Sequence, residues 1–169
     1  MYNKIMNYET SAEIEIAIAK YFDVRKNIIV PNVSWGMFKY ELDLCIVNIT
    51  GRYATEVEIK ISKSDLKADS KKKHNHDKNN NFIKNLYFAM PEKMIGCEDL
   101  VPEDAGIIFV NKKGKVLVVK DPKPNKSAKK WDDEKLYKLA RLGVFRIWNM
   151  KEKIWDLQMQ IKNFRENLK

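Results

Sequence analysis

The sequence predicts one mixed α/β domain, and three features predict it. A segment with helical period comes early, two strands with charged residues at alternate positions follow, and continuously apolar runs then alternate with polar loops. With 169 residues, 44% of them hydrophobic, the chain can bury one core. Residues 1–130 are expected to form that core. Residues 131–169 are expected to add C-terminal helices that pack on it or form a dimer seam.

Residues 10–22, T-S-A-E-I-E-I-A-I-A-K-Y-F, read as the first helix. Thr10 is its N-cap and Glu13 the third helical residue, the reciprocal pair of a capping box. Ile14, Ala17, Ile18 and Tyr21 recur three and four apart and make its buried stripe. N-I-I-V-P then reads as a strand and W-G-M-F as a turn.

The next two strands carry the chemistry. In extended chain, successive side chains point to opposite faces. Leu42, Leu44 and Ile46 therefore share one face, with Glu41 and Asp43 on the other. In A-T-E-V-E-I-K-I-S, residues 54–62, Val57, Ile59 and Ile61 oppose Glu56, Glu58 and Lys60. Ile49-Thr50-Gly51-Arg52 between them suits a hairpin turn, with Gly51 free to take a positive φ. A two-residue turn at Thr50-Gly51 sets a register in which Asp43 faces Glu58, with Lys60 two residues on. Like charges about 5 Å apart across two strands repel. Two carboxylates and an amine held that way suit a divalent-metal phosphodiesterase site. The same alternation is also what the wet face of a half-buried hairpin carries.

After Ile61, Ser62 or Ser64 caps a second helix that carries Asp65 and Asp69 four apart on one face. Asp65, near the helix start, also gains from the helix dipole. S-K-K-K-H-N-H-D-K-N-N-N has no apolar periodicity and reads as a basic surface loop. Its Lys71, Lys72 and Lys73 are candidate phosphate contacts. His74 and His76 lack the further His or Cys partners that a zinc site needs. N-L-Y-F-A-M-P reads as a strand buried on both faces. A-G-I-I-F-V, N-K-K-G-K and V-L-V-V follow as a hairpin, with a second basic cluster at Lys112, Lys113 and Lys115. D-P-K-P-N-K-S-A-K-K is loop.

From Trp131 the chain reads as helix, first through W-D-D-E-K-L-Y-K-L-A-R-L-G and then as a long C-terminal run. Ile147, Met150, Ile154, Leu157, Ile161, Phe164 and Leu168 alternate three and four apart, an a/d seam. It would pack on the domain's own sheet or against a second copy. Trp148 and Trp155 stand seven apart on a different face.

The net charge of +9 favours a polyanionic partner, and nucleic acid is the common one. No run of about 18 apolar residues would span a membrane. The N-terminal segment lacks the apolar core of a secretory signal, and Cys45 and Cys97 stand in no metal-ligand spacing. A cytoplasmic setting is expected, with Cys45 packing as a small hydrophobe.

The order helix, strand, Asp-bearing strand, E-x-K strand, helix resembles the PD-(D/E)XK nuclease superfamily. More narrowly, E-I-K-I-S-K-S-D-L-K-A-D-S-K followed by L-Y-F-A-M-P and P-E-D-A-G-I-I-F-V is similar to its MmcB-like DNA-repair branch, over roughly residues 10–120. The first motif reads E-L-D, without the proline that names the superfamily. The resemblance implies a restriction-endonuclease-like mixed sheet flanked by helices. It implies Asp43 and Glu58 as carboxylates for Mg²⁺ or Mn²⁺, helped by the Ile59 carbonyl, and Lys60 as the catalytic lysine. Glu13 or Glu9 would supply an extra acid from the first helix, and Asp65 and Asp69 would steady the site. Glu56, on the same strand face by alternation, is either a residue that assists the site through a neighbour or a solvated strand residue. The expected function is metal-dependent DNA hydrolysis in repair or in phage and mobile-element DNA processing. The alternative is a non-catalytic nucleic-acid-binding or assembly protein on a nuclease-derived fold.

Overall fold

The computed structural model describes residues 7–34, 36–38, 40–71 and 82–168, with the backbone alone for 69–71. Six strands form one sheet whose spatial order follows the chain: β1 (Asn27–Val33), β2 (Leu42–Asn48), β3 (Ala54–Ile59), β4 (Ile83–Pro91), β5 (Gly106–Val110) and β6 (Val116–Lys120). The first three strands and the last pair are antiparallel, while β3, β4 and β5 run parallel. Parallel neighbours need a crossover, and helix α2 (Lys63–Lys71) lies on the one between β3 and β4. The expected α/β class is met, with a mixed sheet and a long C-terminal helix.

Helix α1 (Ser11–Phe22) begins as its sequence predicts. Thr10 Oγ1 accepts the Glu13 N–H, and the Glu13 carboxylate accepts the Thr10 N–H at 3.2 Å. Ile14, Ala17 and Ile18 are buried, but Tyr21 is 51% exposed. The stripe ends where the helix ends, and Phe22 takes the place by the core that Tyr21 was expected to fill. Through this stripe α1 covers one sheet face, packing on Leu44, Ile46, Val57, Ile59, Ala89 and Ile108.

The β2–β3 hairpin has the expected register, with Leu44 opposite Val57 and Val47 opposite Ala54. Its turn differs. The Asn48 carbonyl accepts the Arg52 N–H at 2.8 Å, and the Asn48 side chain accepts the Gly51 N–H. The positive φ falls on Arg52 (58°), not on Gly51. Tertiary contacts hold that conformation: the Arg52 carbonyl accepts the Trp131 N–H at 2.8 Å, and its guanidinium meets Asp133.

The second sheet face carries two separate clusters. Val30, Cys45, Val47 and Ala54 pack under Trp131, Leu139 and Leu142, and Leu42 joins them instead of the Leu44 side. Leu66 of α2 packs on Phe88, Met90, Ile107 and Phe109. By sheet order β3 runs between them, so its outward residues sit in a trough walled by two apolar clusters.

The C-terminal region is one helix, α3 (Asp133–Glu166, 34 residues), capped by Asp132, whose side chain accepts the Lys135 N–H. The expected division after Gly143 does not occur. A Cβ at Gly143 would meet Val30 at 3.2 Å, so the glycine lets the helix lie close to β1. The only buried residues of α3 are Leu139 and Leu142. Past Gly143 the seam does not pack on the sheet, and each of its residues is more than half exposed. No described helix is long and apolar enough to cross a membrane.

Candidate functional site

The acidic face of β3 is not wet. Glu56, Glu58 and Lys60 are the buried charged residues of the described chain, at 1%, 7% and 6% exposure. Strand alternation points them away from α1, into the trough between the two clusters on the far face. Glu56, expected to be solvated, accepts a hydrogen bond from the Tyr40 hydroxyl at 3.2 Å. A half-buried hairpin would have left it in water; the cover over this face reverses that expectation.

Lys60 is placed by its backbone. Its N–H donates to the Ala89 carbonyl at 3.0 Å, carrying the β3–β4 pairing one step past Ile59. Ala89 belongs to L-Y-F-A-M-P, so that segment positions the lysine as well as filling the core. The Lys60 ammonium then lies 3.0 Å from the Glu58 carboxylate.

Asp43 completes the group where the hairpin opens. The β2–β3 ladder ends at Leu44 and Val57. Just beyond it, Asp43 Oδ2 accepts the Ile59 N–H at 2.8 Å. The carboxylate thus takes a main-chain donor at the end of the ladder, in the register that sets it against Glu58.

Two further acids lie within electrostatic reach of Asp43. Ser62 caps α2, its hydroxyl accepting the Asp65 N–H at 3.1 Å, which sets Asp65 in the first turn, where its charge acts on Asp43. Glu15 of α1 is the second, its pKa raised by burial and then by the Asp43 charge. The family resemblance implies Glu13 or Glu9 instead. Glu13 is bound up with the start of α1, accepting from the Asn7, Glu9 and Thr10 N–H groups, and Glu9 pairs with Lys93 at 3.5 Å. The signal for Glu15 was its place on the shoulder of the Ile14–Ile18 stripe, where a helix facing a core seldom sets an acid. Asp69 and Lys71 fall in α2, but their side chains lie outside the described residues, as do Lys72, Lys73, His74 and His76. Lys112 and Lys113 are exposed on the β5–β6 turn.

The site holds more negative charge than its lysine balances. Burial pushes the Glu58 carboxyl up to about 7; the Asp43 charge adds to this and Lys60 opposes it. Asp43 is raised by burial as well, against the pull of the Ile59 N–H and Lys60. Hard carboxylate oxygens carrying surplus charge suit Mg²⁺ or Mn²⁺. Among the described residues no three acidic, His or Cys side chains form a ready metal cage. Mg²⁺ needs none, since it usually keeps several waters and takes one or two carboxylates.

The raised Glu58 pKa has a stability consequence. Its folded value, about 7, lies above the ordinary 4.5, so the folded state holds this proton where the unfolded chain has lost it. Metal-free protein is therefore expected to lose stability as pH rises from about 4.5 to about 7. Glu58→Gln should flatten that slope, read as Tm against pH in EDTA, because the substituted amide has no proton to lose. A wild-type melting profile with no such fall in this range would show that Glu58 ionises freely.

Comparison with family models, with curated proteins and with solved structures gives no match, so the residues of the site are what speaks for its chemistry.

Proposed function

We propose that this protein is a metal-dependent DNA nuclease with a restriction-endonuclease-like core of the PD-(D/E)XK kind. The observation that carries the reading is the convergence of Asp43, Glu58 and Lys60 at the open end of the β2–β3 hairpin, two of them buried and paired at 3.0 Å. An ordinary surface hairpin has no reason to bury a lysine and two glutamates on one strand, since each costs desolvation.

Asp43 and Glu58, with the Ile59 carbonyl, would hold Mg²⁺ or Mn²⁺. When bound, such an ion neutralises charge on the phosphate and eases departure of the leaving oxygen. The protein's own groups do the rest. The Ile59 N–H fixes the rotamer of Asp43, so its carboxylate needs no reorganisation. Lys60, held by Ala89 and Glu58, orients the attacking water and stabilises the charge that develops on phosphorus oxygens. Glu15 and Asp65 add negative potential that keeps the site selective for cations. The net charge of +9 draws the DNA polyanion to a protein whose catalytic pocket is itself acidic.

The test is incubation of purified protein with supercoiled, linear and single-stranded DNA in Mg²⁺ or Mn²⁺, with EDTA as control. Cleavage that needs the metal is expected. Binding without cutting under every one of these conditions would sink the nuclease reading and leave a DNA-binding protein on this fold.

A further inference from the structure

The second half of α3 leaves the domain with its apolar seam uncovered. Ile147, Met150, Ile154, Leu157, Ile161 and Phe164 are each 53–67% exposed, on a helix whose last contact with the sheet is Arg146, its guanidinium donating to the Asn32 carbonyl of β1 at 2.8 Å. A solvent-bathed helix with an intact a/d seam is unusual in a monomer, where exposed apolar residues are scattered. With the remaining a-position residue, Leu168, these side chains expose on the order of 800 Å² per chain, the area per partner of a stable interface.

We propose that α3 pairs with α3 of a second copy of this chain as an antiparallel two-stranded coiled coil. The seam is symmetric under that pairing. Ile147 would lie against the partner's Phe164, Met150 against the partner's Ile161, and Ile154 against the partner's Leu157, so every layer joins an a position to a d position. The flanking charges choose the direction. Arg146, Lys151, Lys153 and Arg165 flank the seam, while the acids Glu152, Asp156 and Glu166 point away from it. A parallel pair would set Arg146 beside the partner's Lys151, a like-charge contact made twice. The antiparallel pair sets Arg146 by the partner's Asn167, Lys153 by the partner's Gln160 and Lys151 by the partner's Gln158. No cation then meets a cation across the seam. It also puts the two α/β domains, each from a chain of charge +9, at opposite ends of the coil. Nothing in this pairing depends on the nuclease reading.

Sedimentation equilibrium of the full chain at micromolar concentration is expected to give twice the 19.9 kDa chain mass. Leu157→Glu should return the mass to one chain while the melting of the α/β core is unchanged, since Leu157 is 57% exposed and far from that core. Direction is read by copper-phenanthroline oxidation in a Cys97→Ser background, Cys45 being buried. Ile147→Cys alone should not cross-link, because antiparallel copies hold the two cysteines about 25 Å apart. Mixed with Phe164→Cys, it should form a disulfide-linked pair. A wild-type mass of one chain, or of more than two, overturns the proposal, and self-linking of Ile147→Cys overturns the antiparallel direction. A monomer that instead sediments with phosphatidylserine–phosphatidylcholine vesicles, and loses this on Leu157→Glu, assigns the face to a lipid surface and also overturns it.

Discussion

Lys60→Ala and Asp43→Asn are each expected to lower the proposed metal-dependent DNA cleavage by on the order of 10³-fold. The two changes fail for different reasons, which makes them informative together. Lys60→Ala removes the cation that, among the described residues, pairs with Glu58 and offsets the Asp43 charge, so in the proposed reaction the charge developing on phosphorus would lose that counter-ion. Asp43→Asn keeps an oxygen for the Ile59 N–H, so the hairpin end holds its shape while half of the carboxylate pair loses its charge. Its defect should ease partly at high Mn²⁺, whereas that of Lys60→Ala should not. The measurement is the rate of plasmid nicking and linearisation against metal concentration, with a melting curve for each variant to confirm folding. Unchanged cleavage in both variants would mean the chemistry lies elsewhere.

Trp131→Ala is expected to destabilise the fold by about 3–5 kcal/mol, among the largest effects a single truncation produces. Trp131 is 1% exposed and joins three parts of the chain. Its backbone N–H binds the Arg52 carbonyl, its indole N–H donates to the Phe82 carbonyl at 2.8 Å, and its ring packs near Phe38. Truncation leaves a large cavity under the start of α3 and removes the indole donor from the Phe82 carbonyl. For a domain of this size Tm should drop by roughly 6–20 °C in calorimetry. Trp148→Ala and Trp155→Ala, at 64% and 60% exposure, should leave the unfolding of the α/β core almost unchanged. Equal losses from all three would mean that the exposed part of α3 unfolds as one unit with the core.

Much of the fold was legible because its signals are local. The Thr10–Glu13 box starts α1, the alternation in residues 44–48 and 54–59 marks both strands, and the short turn between them fixes their register. The seam of α3 was readable from spacing, since a 3.5-residue repeat is a property of the chain alone. The expectations that failed turned on neighbours. Tyr21 continues the helical stripe but lies beyond the sheet it would have covered. Gly51 is the natural bearer of a positive φ, yet contacts to Trp131 and Asp133, about eighty residues away, place it on Arg52. Gly143 reads as a helix end until β1 is known to lie against it.

The candidate site divides in the same way. Strand periodicity put Asp43 on the charged face of one strand and Glu58 and Lys60 on that of the next, because the two-residue period assigns a side chain to a face whatever lies above it. The turn between the strands supplied the register that sets Asp43 against Glu58. Periodicity does not say what covers that face. Only the packing of α3 on β1 and β2, and of α2 on β4 and β5, turned a wet strand surface into a trough where Glu56 is buried and Glu58 is pushed up to about 7. Only the approach of α1 brought Glu15 toward Asp43, from a helix whose sequence drew attention to Glu13. The residue types and their spacing were thus written in the chain. Their burial, charge state and company came from elements distant in sequence, because desolvation and long-range Coulomb energy depend on who is near in space.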